Sequence, residues 1–436
     1  MKILYIVPYA PTPIRTRPYN LLLGLLRQGH QVTLATVWEN DAEHKSLAEL
    51  TQAGAQVLAA HLSKPRIAIN LAAALISGLP LQANYSWQPG VAKQIIARCI
   101  YSAKSYDCSC EFDIIHIEHL RGAIYGLRLH SKEPNGSGLS GWPYTTLDTE
   151  LNTTVPIIWD SVDNISSLFE QAARNGASNF GRWVTRFEIP RTRRYEANLI
   201  DQFTRTLVTS PVDLAAFEKL REEVKVRSQS PSNLTISVLT NGVDLDTFKP
   251  SETPYQRDLV IFSGKLSYHA NISAALFLVK QVMPIVWERR PQTRVLLAGK
   301  DPNSILLSLS KENHRVEITG TIPDLPSHIQ SAAVSAATIT YGAGVQNKVL
   351  EAMACATPVV ATSKAVSALK AEPGYEALVA DDPVGIATHI LSLLGDEQMR
   401  QNIAQNGLNY VRRNHQWNSV TSQLVTIYEN ILNRAS

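Results

Sequence analysis

At 436 residues the chain is too long for one ordinary hydrophobic core, so its length predicts two or three domains. A hydrophobic fraction of 44% and a charged fraction of 18% are typical of a globular protein and exclude global disorder. The formal charge of +3 is small for this size and gives no indication of nucleic-acid binding, which usually requires a concentrated basic face.

The first half of the chain alternates short apolar runs with helical patterns. Lys2–Val7 predicts a strand, Arg17–Gln28 a helix that ends before Gly29, and Gln31–Thr36 the next strand. Further strands are predicted at Phe112–Ile117, Val155–Asp160, Thr206–Ser210 and Ile236–Thr240. This alternation predicts a parallel, doubly wound sheet. The polar stretch from Ser131 to Thr154 predicts a long surface loop.

The same rhythm restarts after a polar stretch at residues 249–257, which is the predicted linker. The predicted strands of this half are Leu259–Ser263, Arg294–Gly299, Val316–Thr319, Ala337–Tyr341 and Thr357–Thr362. Its predicted helices are Ala270–Glu288, Gln346–Cys355 and the tail Gln398–Arg434. The fold class is therefore predicted as α/β, with two Rossmann-like domains. We place them at residues 1–248 and 255–415, with a C-terminal helix at residues 416–436 that packs back towards the first domain.

No segment predicts a membrane span or an export signal. The N-terminal run before Pro8 is too short for a signal peptide and is rich in strand-forming residues. No run of about 20 apolar residues is present, which predicts that no helix crosses a membrane. The nearest approach is Ile67–Leu81, which Gly78 and Pro80 interrupt, and it leaves a peripheral membrane contact open.

The four cysteines give no metal-binding pattern. They are Cys99, Cys108, Cys110 and Cys355. A structural zinc site would need a second pair of ligands at the usual spacing, and none follows. The expectation is reduced thiols in a cytoplasmic protein.

The segment Tyr341–Thr362 predicts a strand, a glycine-bearing turn, a helix and a strand. Gly342 and Gly344 allow backbone N–H groups to approach a ligand, and the start of the following helix suits a phosphate. Lys348 lies in the first turn of that helix and shares a face with Glu351. The lysine suits a diphosphate and the carboxylate suits ribose hydroxyls. A surface ion pair explains the same two residues at least as well from composition alone.

Several motifs, in their order along the chain, resemble the retaining family-4 glycosyltransferases of GT-B fold. The motifs are Pro8–Tyr19, Asn241–Phe248, Phe262–Leu266, Leu297–Gly299, Thr319–Asp324, Gly344–Ala354 and the tail at Trp417. The run Gly344-Val-Gln-Asn-Lys-Val-Leu-Glu-Ala-Met-Ala354 is similar to a subgroup associated with exopolysaccharide and surface-sugar assembly. The resemblance covers nearly the whole chain and implies two Rossmann-like domains that face each other across a cleft.

The resemblance also implies a donor site in the second half. Glu351 matches the ribose-binding glutamate of the family, Lys265 matches the residue that contacts the donor diphosphate, and Lys348 is the second cation. The donor-binding set is Gly264, Lys265, Gly342, Gly344, Val345, Gln346, Asn347, Lys348 and Glu351. Two departures leave the sugar and part of the phosphate clamp undetermined. Ala343 replaces an acid of the wider family, and Ser267–Asn271 lacks a common Lys-Gly pair.

The first half is expected to carry the acceptor and the catalytic residues. Arg15 and Arg17 lie in the loop after the first strand, where α/β sheets bind ligands, and they are assigned to an anionic acceptor. Two solvated loop arginines would give the same pattern.

Three polar residues end the predicted strand at Phe112–Ile117. His116 and Glu118 share one side of an extended strand, and His119 follows them. Family members have a histidine near this point that contacts the donor sugar, so all three are candidate catalytic residues; lone histidines are more often structural.

Two acids end the strand Val155–Asp160. Asp160 and Asp163 are candidates for orienting the acceptor hydroxyl or a histidine. Capping of the next helix by Asp163 is the alternative interpretation.

Metal and lipid contacts rest on two weaker patterns. Asp244-Leu-Asp246 has the form of a metal-binding Asp-X-Asp motif, but it falls in the inter-domain turn, so no metal site is predicted. Arg182–Arg194 contains five arginines with Trp183 and Phe187 interleaved. This run suits acidic lipid headgroups or a lipid-linked acceptor, and a solvated helix face is the default interpretation.

The sequence thus predicts a metal-independent retaining glycosyltransferase of the hexosyltransferase type. It would move a sugar from a nucleoside diphosphate sugar to a sugar or lipid-linked glycan, in the cytoplasm or at the inner face of the membrane. Its partners would be the nucleotide-sugar donor and the acceptor, without nucleic acid. A nucleotide-sugar epimerase and a non-catalytic sugar-nucleotide-binding protein are the two alternatives.

Overall fold

The computed structural model describes residues 1–100, 111–129, 155–175, 179–225, 235–341 and 344–435. The predicted loop at Ser131–Thr154, together with Cys108 and Cys110, lies outside the described residues. The chain divides into two compact units. The first unit contains Met1–Arg174, Asn179–Leu239 and Thr421–Ser436, and the second contains Asn175–Ser178 and Thr240–Val420.

The first unit is built on a seven-stranded parallel sheet with the order β3-β2-β1-β4-β5-β6-β7. Its strands are β1 (Lys2–Val7), β2 (Gln31–Trp38), β3 (Gln56–His61), β4 (Ile114–Glu118), β5 (Ile157–Val162), β6 (Arg205–Val208) and β7 (Thr235–Val238). Its helices are α1 (Thr16–Arg27), α2 (Asp41–Gln52), α3 (Lys64–Ser77), α4 (Leu81–Tyr85), α5 (Pro89–Ile100), α6 (His119–Leu127), α7 (Ile165–Asn175), α8 (Asn179–Gln202) and α9 (Pro211–Lys225).

The second unit contains a six-stranded parallel sheet with the order β10-β9-β8-β11-β12-β13. Its strands are β8 (Gln256–Ser263), β9 (Arg294–Ala298), β10 (Val316–Ile318), β11 (Ala332–Ala337), β12 (Val359–Ala361) and β13 (Leu378–Val379). Its helices are α10 (His269–Phe277), a π-helical turn (Leu278–Val282), α11 (Met283–Arg289), α12 (Ser304–Glu312), α13 (Leu325–Gln330), α14 (Asn347–Ala354), α15 (Ser363–Val366), α16 (Pro383–Gly395) and α17 (Glu397–Asn414). The last helix, α18 (Trp417–Ala435), begins in this unit and belongs to the first unit from Thr421 on.

The strands of both sheets are apolar because helices cover both faces of each sheet. In β1 every residue after Lys2 is buried, and β4 is buried throughout. Such strands have continuous apolar runs, which is why the sequence shows them clearly. In each unit the strand order reverses direction once, between β1 and β4 and between β8 and β11. Ligands of doubly wound sheets bind outside the strand ends at such points.

The predicted strand at Ala337–Tyr341 is wrong. The central strand β11 covers Ala332–Ala337 instead, and all six of its residues are buried. Its sequence, Ala-Ala-Val-Ser-Ala-Ala, contains few strand-forming residues, so propensity alone misses it. Pairing with β8 and β12 decides the strand, and small side chains are compatible with close packing on both faces.

Within the described part of the chain, one continuous helical segment, His269–Arg289, is long and apolar enough to cross a membrane by length and composition. Half of its most apolar window is buried inside the structure. Leu278, Val282 and Met283 belong to the hydrophobic core of the second unit. The apolar character of this helix is therefore accounted for by packing against its own sheet.

Candidate functional site

Buried polar side chains collect in the first unit where β1, β4 and β5 end. In the strand register Tyr5 lies beside His116, and Glu118 lies beside Asp160. All four are almost completely inaccessible to solvent. Because polar groups are rarely buried without partners, this cluster requires a network of hydrogen bonds.

Asp160 is the centre of a buried ion-pair network. Arg17 donates to its Oδ2 atom from Nε at 3.0 Å and from Nη2 at 2.7 Å. Nε2 of His116 lies 3.6 Å from the same oxygen, and Nδ1 of His116 lies 2.7 Å from the hydroxyl of Tyr428. Burial raises the pKa of Asp160, but Arg17 and His116 outweigh it and hold the pKa below its ordinary value. Arg17 is only 4% exposed, so its contact here is with Asp160 rather than with an open surface.

Two tyrosines hold the carboxyl group of Glu118. Tyr5 donates its hydroxyl to Oε2 at 2.6 Å, and Tyr9 donates to Oε1 at 3.0 Å. Burial and the charge of Asp160 raise the pKa of Glu118 to about 7, although both hydrogen bonds oppose the shift. A carboxyl group with such a pKa exchanges its proton near neutral pH, as general acids and bases do.

His119 is the more accessible of the two histidines, because His116 is completely buried. Its φ of 64° lies in the left-handed region, a strained conformation that is concentrated at functional sites. Its Nδ1 accepts the amide hydrogen of Arg121 at 3.2 Å, so its Nε2 carries the ring hydrogen. Burial lowers the pKa of His119 to about 3. His119 is therefore a neutral imidazole that can donate one hydrogen bond.

The chain leaves β5 through a strained turn that carries Asp163. Val162 has a φ of 66°, which is rare for a β-branched residue, and the strand register shifts between Asp160 and Val162. Burial raises the pKa of Asp163 to about 7. Asn164 caps α7, since its Oδ1 accepts the amide of Ser167 at 2.8 Å. The interpretation of Asp163 as the cap is therefore wrong.

The charges of Arg15 and Arg121 both act on Tyr9, and Arg121 was not among the predicted site residues. The Arg15 guanidinium stands 4.6 Å from the centroid of the Tyr9 ring and pairs with Glu43 at 2.9 Å. Arg121 stands 4.7 Å from the centroid of the Tyr85 ring, and burial lowers its pKa. Burial also raises the pKa of Tyr9, while the charges of both arginines oppose that shift. Arg121 follows His119 by two residues, and this proximity was the signal available in the sequence.

In the second unit, two glycines bring the loops after β8 and β9 together. Gly264 has a φ of 143° and Gly299 a φ of 155°. A Cβ atom on Gly299 would lie 1.8 Å from the carbonyl oxygen of Gly264. A Cβ atom on Gly264 would lie 3.0 Å from Nζ of Lys348. Only glycine fits both positions, which gives a backbone reason for the Gly264 and Leu297–Gly299 motifs.

Replacing Gly299 with Ala is expected to destabilise the protein by about 1–3 kcal/mol, because the new methyl group must displace the Gly264 peptide. Gly320 is a matched control: its φ is 67°, but a Cβ atom there would meet nothing within 4 Å. Gly320→Ala should therefore show backbone strain without the collision. Equal urea-unfolding midpoints for the two variants would contradict the close contact.

Lys348 is a buried cation beside Gly264. Its Nζ donates to Oδ1 of Asn271 at 2.7 Å and lies 4.2 Å from the centroid of the Phe262 ring. Nδ2 of Asn271 donates in turn to the carbonyl oxygen of Lys265 at 2.9 Å. Burial lowers the pKa of Lys348 to about 7, against the opposing effect of Glu351. Lys348 is therefore not half of a solvated surface pair.

Glu351 lies three residues beyond Lys348 on α14, as the helical spacing predicts. Burial raises its pKa to about 7, and the charge of Lys348 opposes the shift. Each group thus has a perturbed pKa for the same reason, which is the loss of water around its charged form. Such perturbed pairs are typical of binding and catalytic sites.

The remaining residues predicted to bind the donor lie around the start of α14 and the end of β8. Lys265 is largely exposed, and its Nζ is 3.9 Å from Asp301. Gly344 has a φ of 70°. Val345 and Gln346 precede the helix, and Asn347 begins it. The assignment of Gly342, like the substitution at Ala343, lies outside the described residues.

Two residues near this site make contacts that no sequence motif predicts. Asn271 holds Lys348, and His269 contacts the Tyr341 hydroxyl through Nδ1 at 2.9 Å. Both come from Ser267–Asn271, the stretch that lacks the Lys-Gly pair of the family. No sequence pattern distinguishes an asparagine that holds a lysine, because the contact joins two distant segments.

Among the residues that the structure describes, no group of three or more His, Cys, Asp or Glu side chains could hold a metal ion. The carboxylate of Asp244 accepts the amide hydrogens of Asp246 at 3.0 Å and Thr247 at 3.3 Å. This Asp-X-Asp sequence therefore stabilises a turn through its first carboxylate.

Residues 257–396, which lie within the second unit, match the model of the family described as "Glycosyl transferases group 1". Over this segment the second unit is similar to the glycosyltransferase group 1 family. The matched segment includes Gly264, Lys265, Gly299, Lys348 and Glu351.

Solved structures with the same fold span both units. Sucrose-phosphate synthase from Thermosynechococcus elongatus superposes with a TM-score of 0.65 at 17% identity and covers 100% of both chains. HepE from Anabaena, solved in complex with UDP-glucose, has a TM-score of 0.60 at 16% identity and covers 99% of this chain and 100% of its own. At these identities the likeness concerns the fold, and it confirms the predicted α/β GT-B class with two Rossmann-like domains.

One curated relative is described as an uncharacterized 44.6 kDa protein in the cps region of Klebsiella pneumoniae. It is 24% identical over 199 residues, which are 42% of this chain. The chain thus spans about half, 51%, of the length of this relative.

Proposed function

We propose that this protein is a retaining glycosyltransferase that takes a sugar from a nucleoside diphosphate sugar and transfers it to a sugar or a lipid-linked glycan. Its work would belong to polysaccharide or glycoconjugate biosynthesis, as the cps-region relative suggests. UDP is the nucleotide to test first, because HepE was solved with UDP and with UDP-glucose. The protein would need no metal ion.

The observation that carries this proposal is the arrangement around Lys348 inside the segment that is similar to the glycosyltransferase group 1 family. A buried ammonium group is unfavourable unless an anion or other polar groups compensate for lost water. In this structure the contacts at its Nζ are the neutral Asn271 and the Phe262 ring. The Gly264 and Gly299 loops bring backbone close to the same point. Glu351 compensates only part of the cost of burial, since the pKa of Lys348 stays lowered to about 7, and a diphosphate would supply further negative charge.

In the proposed reaction the bond between the sugar and the diphosphate breaks, and a bond between the sugar and the acceptor oxygen forms. The proton of the acceptor hydroxyl passes to the leaving diphosphate. Lys348 and Lys265 would stabilise the leaving charge, and Glu351 would accept hydrogen bonds from the ribose. The neutral imidazole of His119 would donate a hydrogen bond to a hydroxyl of the donor sugar. His116 and Asp160, which are buried where β4 and β5 end, would help to hold this part of the site in place.

On the acceptor side, Arg15 and Arg121 are the residues proposed to hold an anionic group. Arg15 lies over the Tyr9 ring near the carboxyl end of the first sheet, and the charge of Arg121 also acts on the Tyr9 hydroxyl. Arg17 is proposed as a positioning residue, since its guanidinium binds Asp160. Glu118 and Asp163, each with a pKa near 7, are the candidates for orienting the acceptor hydroxyl towards the leaving diphosphate, which takes its proton.

Replacing Glu351 with Ala is expected to weaken UDP binding by about 1.5–3 kcal/mol, or roughly 10–150-fold, because hydrogen bonds to a charged group are lost. Isothermal titration calorimetry with UDP, GDP, ADP and CMP measures the loss of affinity and identifies the nucleotide base that the protein prefers. Glu288→Ala, in α11 of the same unit, is the matched control and should bind as the wild type does.

Release of nucleoside diphosphate from the selected donor, with and without acceptor glycans, separates the proposed activity from its alternatives. A glycosyltransferase releases the nucleotide when an acceptor is present. An epimerase would convert the donor without any acceptor. A protein that binds UDP tightly but neither converts nor releases it with any acceptor would overturn the catalytic proposal. Unchanged UDP affinity in Glu351→Ala would overturn the location of the donor site.

A further inference from the structure

Helix α3 presents an apolar face to solvent. Its members are spaced at three and four residues, which places them on one side of a helix: Ala68, Ile69, Ala72, Leu75 and Ile76. Ile69 is 57% exposed, Leu75 49% and Ile76 86%. Monomeric soluble proteins rarely leave such a contiguous set uncovered without a binding role.

The opposite side of α3 is firmly attached to the first unit. Asn70 is completely buried, and its Nδ2 donates to the carbonyl oxygens of Tyr85 at 3.0 Å and Trp87 at 2.8 Å. Nδ2 of Asn84 donates back to the carbonyl oxygen of Asn70 at 2.6 Å. These bonds determine which face of α3 is turned outward. The exposed face therefore cannot rotate inward to join the core without breaking them.

Helix α8 meets the helical hairpin formed by α3 and α4. The carboxylate of Glu188 accepts the amide hydrogen of Leu81, the first residue of α4, at 2.7 Å. The neighbouring Phe187 is 39% exposed, and the guanidinium of Arg191 lies 4.0 Å from its ring centroid. Two segments that are far apart in the sequence, the apolar stretch at Ile67–Leu81 and the arginine-rich run, thus lie on one part of the first unit.

Cationic side chains flank the apolar face of α3. Lys64 and Arg66 lie in the first turn of α3, and residues 50–106 contain no Asp or Glu. On α8, Arg186 and Arg194 are exposed, whereas Glu188 is only 4% exposed. Apolar side chains flanked by arginine and lysine match the interface of an anionic membrane. The apolar side chains enter the acyl region, and the arginine and lysine side chains contact the headgroups.

We propose that the apolar face of α3 and the exposed arginines of α8 form a docking surface for an anionic lipid bilayer. The surface holds the first unit on the membrane peripherally, with α3 parallel to the bilayer plane. A binding surface of this kind is independent of the proposed transfer reaction. It would nevertheless bring the enzyme to acceptors that are carried on lipids.

Vesicle flotation tests the proposal with the full chain. The wild type should float with vesicles of phosphatidylcholine and phosphatidylglycerol and much less with phosphatidylcholine alone. The affinity of the double variant Ile69→Ser/Ile76→Ser for anionic vesicles should fall by at least about tenfold, since two apolar side chains no longer enter the bilayer. Ile305→Ser in α12 of the second unit is the matched control, because Ile305 is 52% exposed and lies outside the surface.

Arg186→Glu/Arg194→Glu separates the charge contribution from the apolar one. This variant should lose the preference for phosphatidylglycerol and the weakening of binding by salt. UDP affinity, measured on all three variants, should stay at the wild-type value, which shows that each is folded and keeps its donor site.

Failure of the wild type to float with anionic vesicles would overturn the proposal without affecting the proposed transfer activity. A wild-type dimer that Ile69→Ser/Ile76→Ser converts to a monomer, without vesicle binding, would show that a second copy covers this face instead.

Discussion

Replacing Asp160 with Ala is expected to lower the free energy of unfolding by about 3–5 kcal/mol. The substitution leaves the Arg17 guanidinium, which is 4% exposed, without the carboxylate to which it donates two hydrogen bonds. It also removes the acceptor of the Val162 amide at 3.2 Å and the carboxylate that faces His116. Urea-induced unfolding followed by circular dichroism measures the change.

Two controls separate the buried ion pair from a general effect of removing an acid. Glu49→Ala, on the exposed face of α2, should change stability by no more than about 0.5 kcal/mol. The double variant Arg17→Met/Asp160→Ala should lose less than the sum of the two single variants, because no uncompensated charge remains. A loss of under about 1 kcal/mol in Asp160→Ala would contradict the network.

The pH dependence of Asp160 has a defined sign. Its pKa in the folded protein is below the ordinary value, since Arg17 and His116 outweigh the effect of burial. The stabilisation is therefore fully present above about pH 4 and is lost as the pH falls through the folded pKa. Wild type and Asp160→Ala should accordingly become more similar in stability under acidic conditions.

The second large effect is expected at Lys348. Its pKa is about 7 in the folded protein, because burial disfavours the ammonium group, whereas an unfolded lysine titrates near pH 10.4. Between these values the unfolded chain binds the extra proton, so the stability of the wild type should rise as the pH increases. Relative to Lys348→Met, the gain from pH 7 to pH 9.5 should be about 3 kcal/mol. Urea unfolding at both pH values measures this difference.

The same variant should lose nucleotide binding while remaining folded. Lys348→Met removes the charge opposite the proposed diphosphate, and we expect UDP affinity to fall by roughly 100-fold. Binding to the wild type should take up a proton near pH 8, since a diphosphate favours the ammonium form. Calorimetry in buffers of different ionisation enthalpy detects this uptake.

Lys280→Met is the matched control for Lys348→Met. Lys280 is an exposed lysine in the π-helical turn of the same unit, so neither the pH dependence nor the affinity should change. A wild-type protein whose stability does not rise relative to Lys348→Met would show that the ammonium group is not buried in solution.

The architecture was readable from the sequence wherever strands are continuous apolar runs. The expected strand at Lys2–Val7 coincides with β1, and those at Gln31, Leu259 and Arg294 differ from the structure only near their ends. The expected strand at Ala337–Tyr341 failed because β11 consists of small residues whose extended state depends on pairing with neighbouring strands. Patterns of hydrophobicity report burial, and they report it poorly where alanine fills the buried positions.

In the candidate site too, some features follow from local sequence spacing and others depend on tertiary contacts. Spacing along one element placed Lys348 and Glu351 on a common helix face, and His116 and Glu118 on a common strand, because helix and strand periods are properties of the local chain. The partners of these residues come from other elements. Asn271 beside Lys348, and Arg17 beside Asp160, could not be inferred from spacing.

The sequence by itself determined that this protein has two parallel α/β units and a glycine-bearing turn before a helix, since these depend on local periodicity and on backbone conformations that only glycine adopts. Tertiary structure alone decided which polar groups are buried, and burial is what moves the pKa values of Glu118, Lys348 and Glu351 towards neutrality. It also decided that the apolar stretch at Ile67–Leu81 and the arginine-rich α8 lie together. Contacts of this kind join residues distant in sequence, and their energies arise only when water is excluded between packed elements.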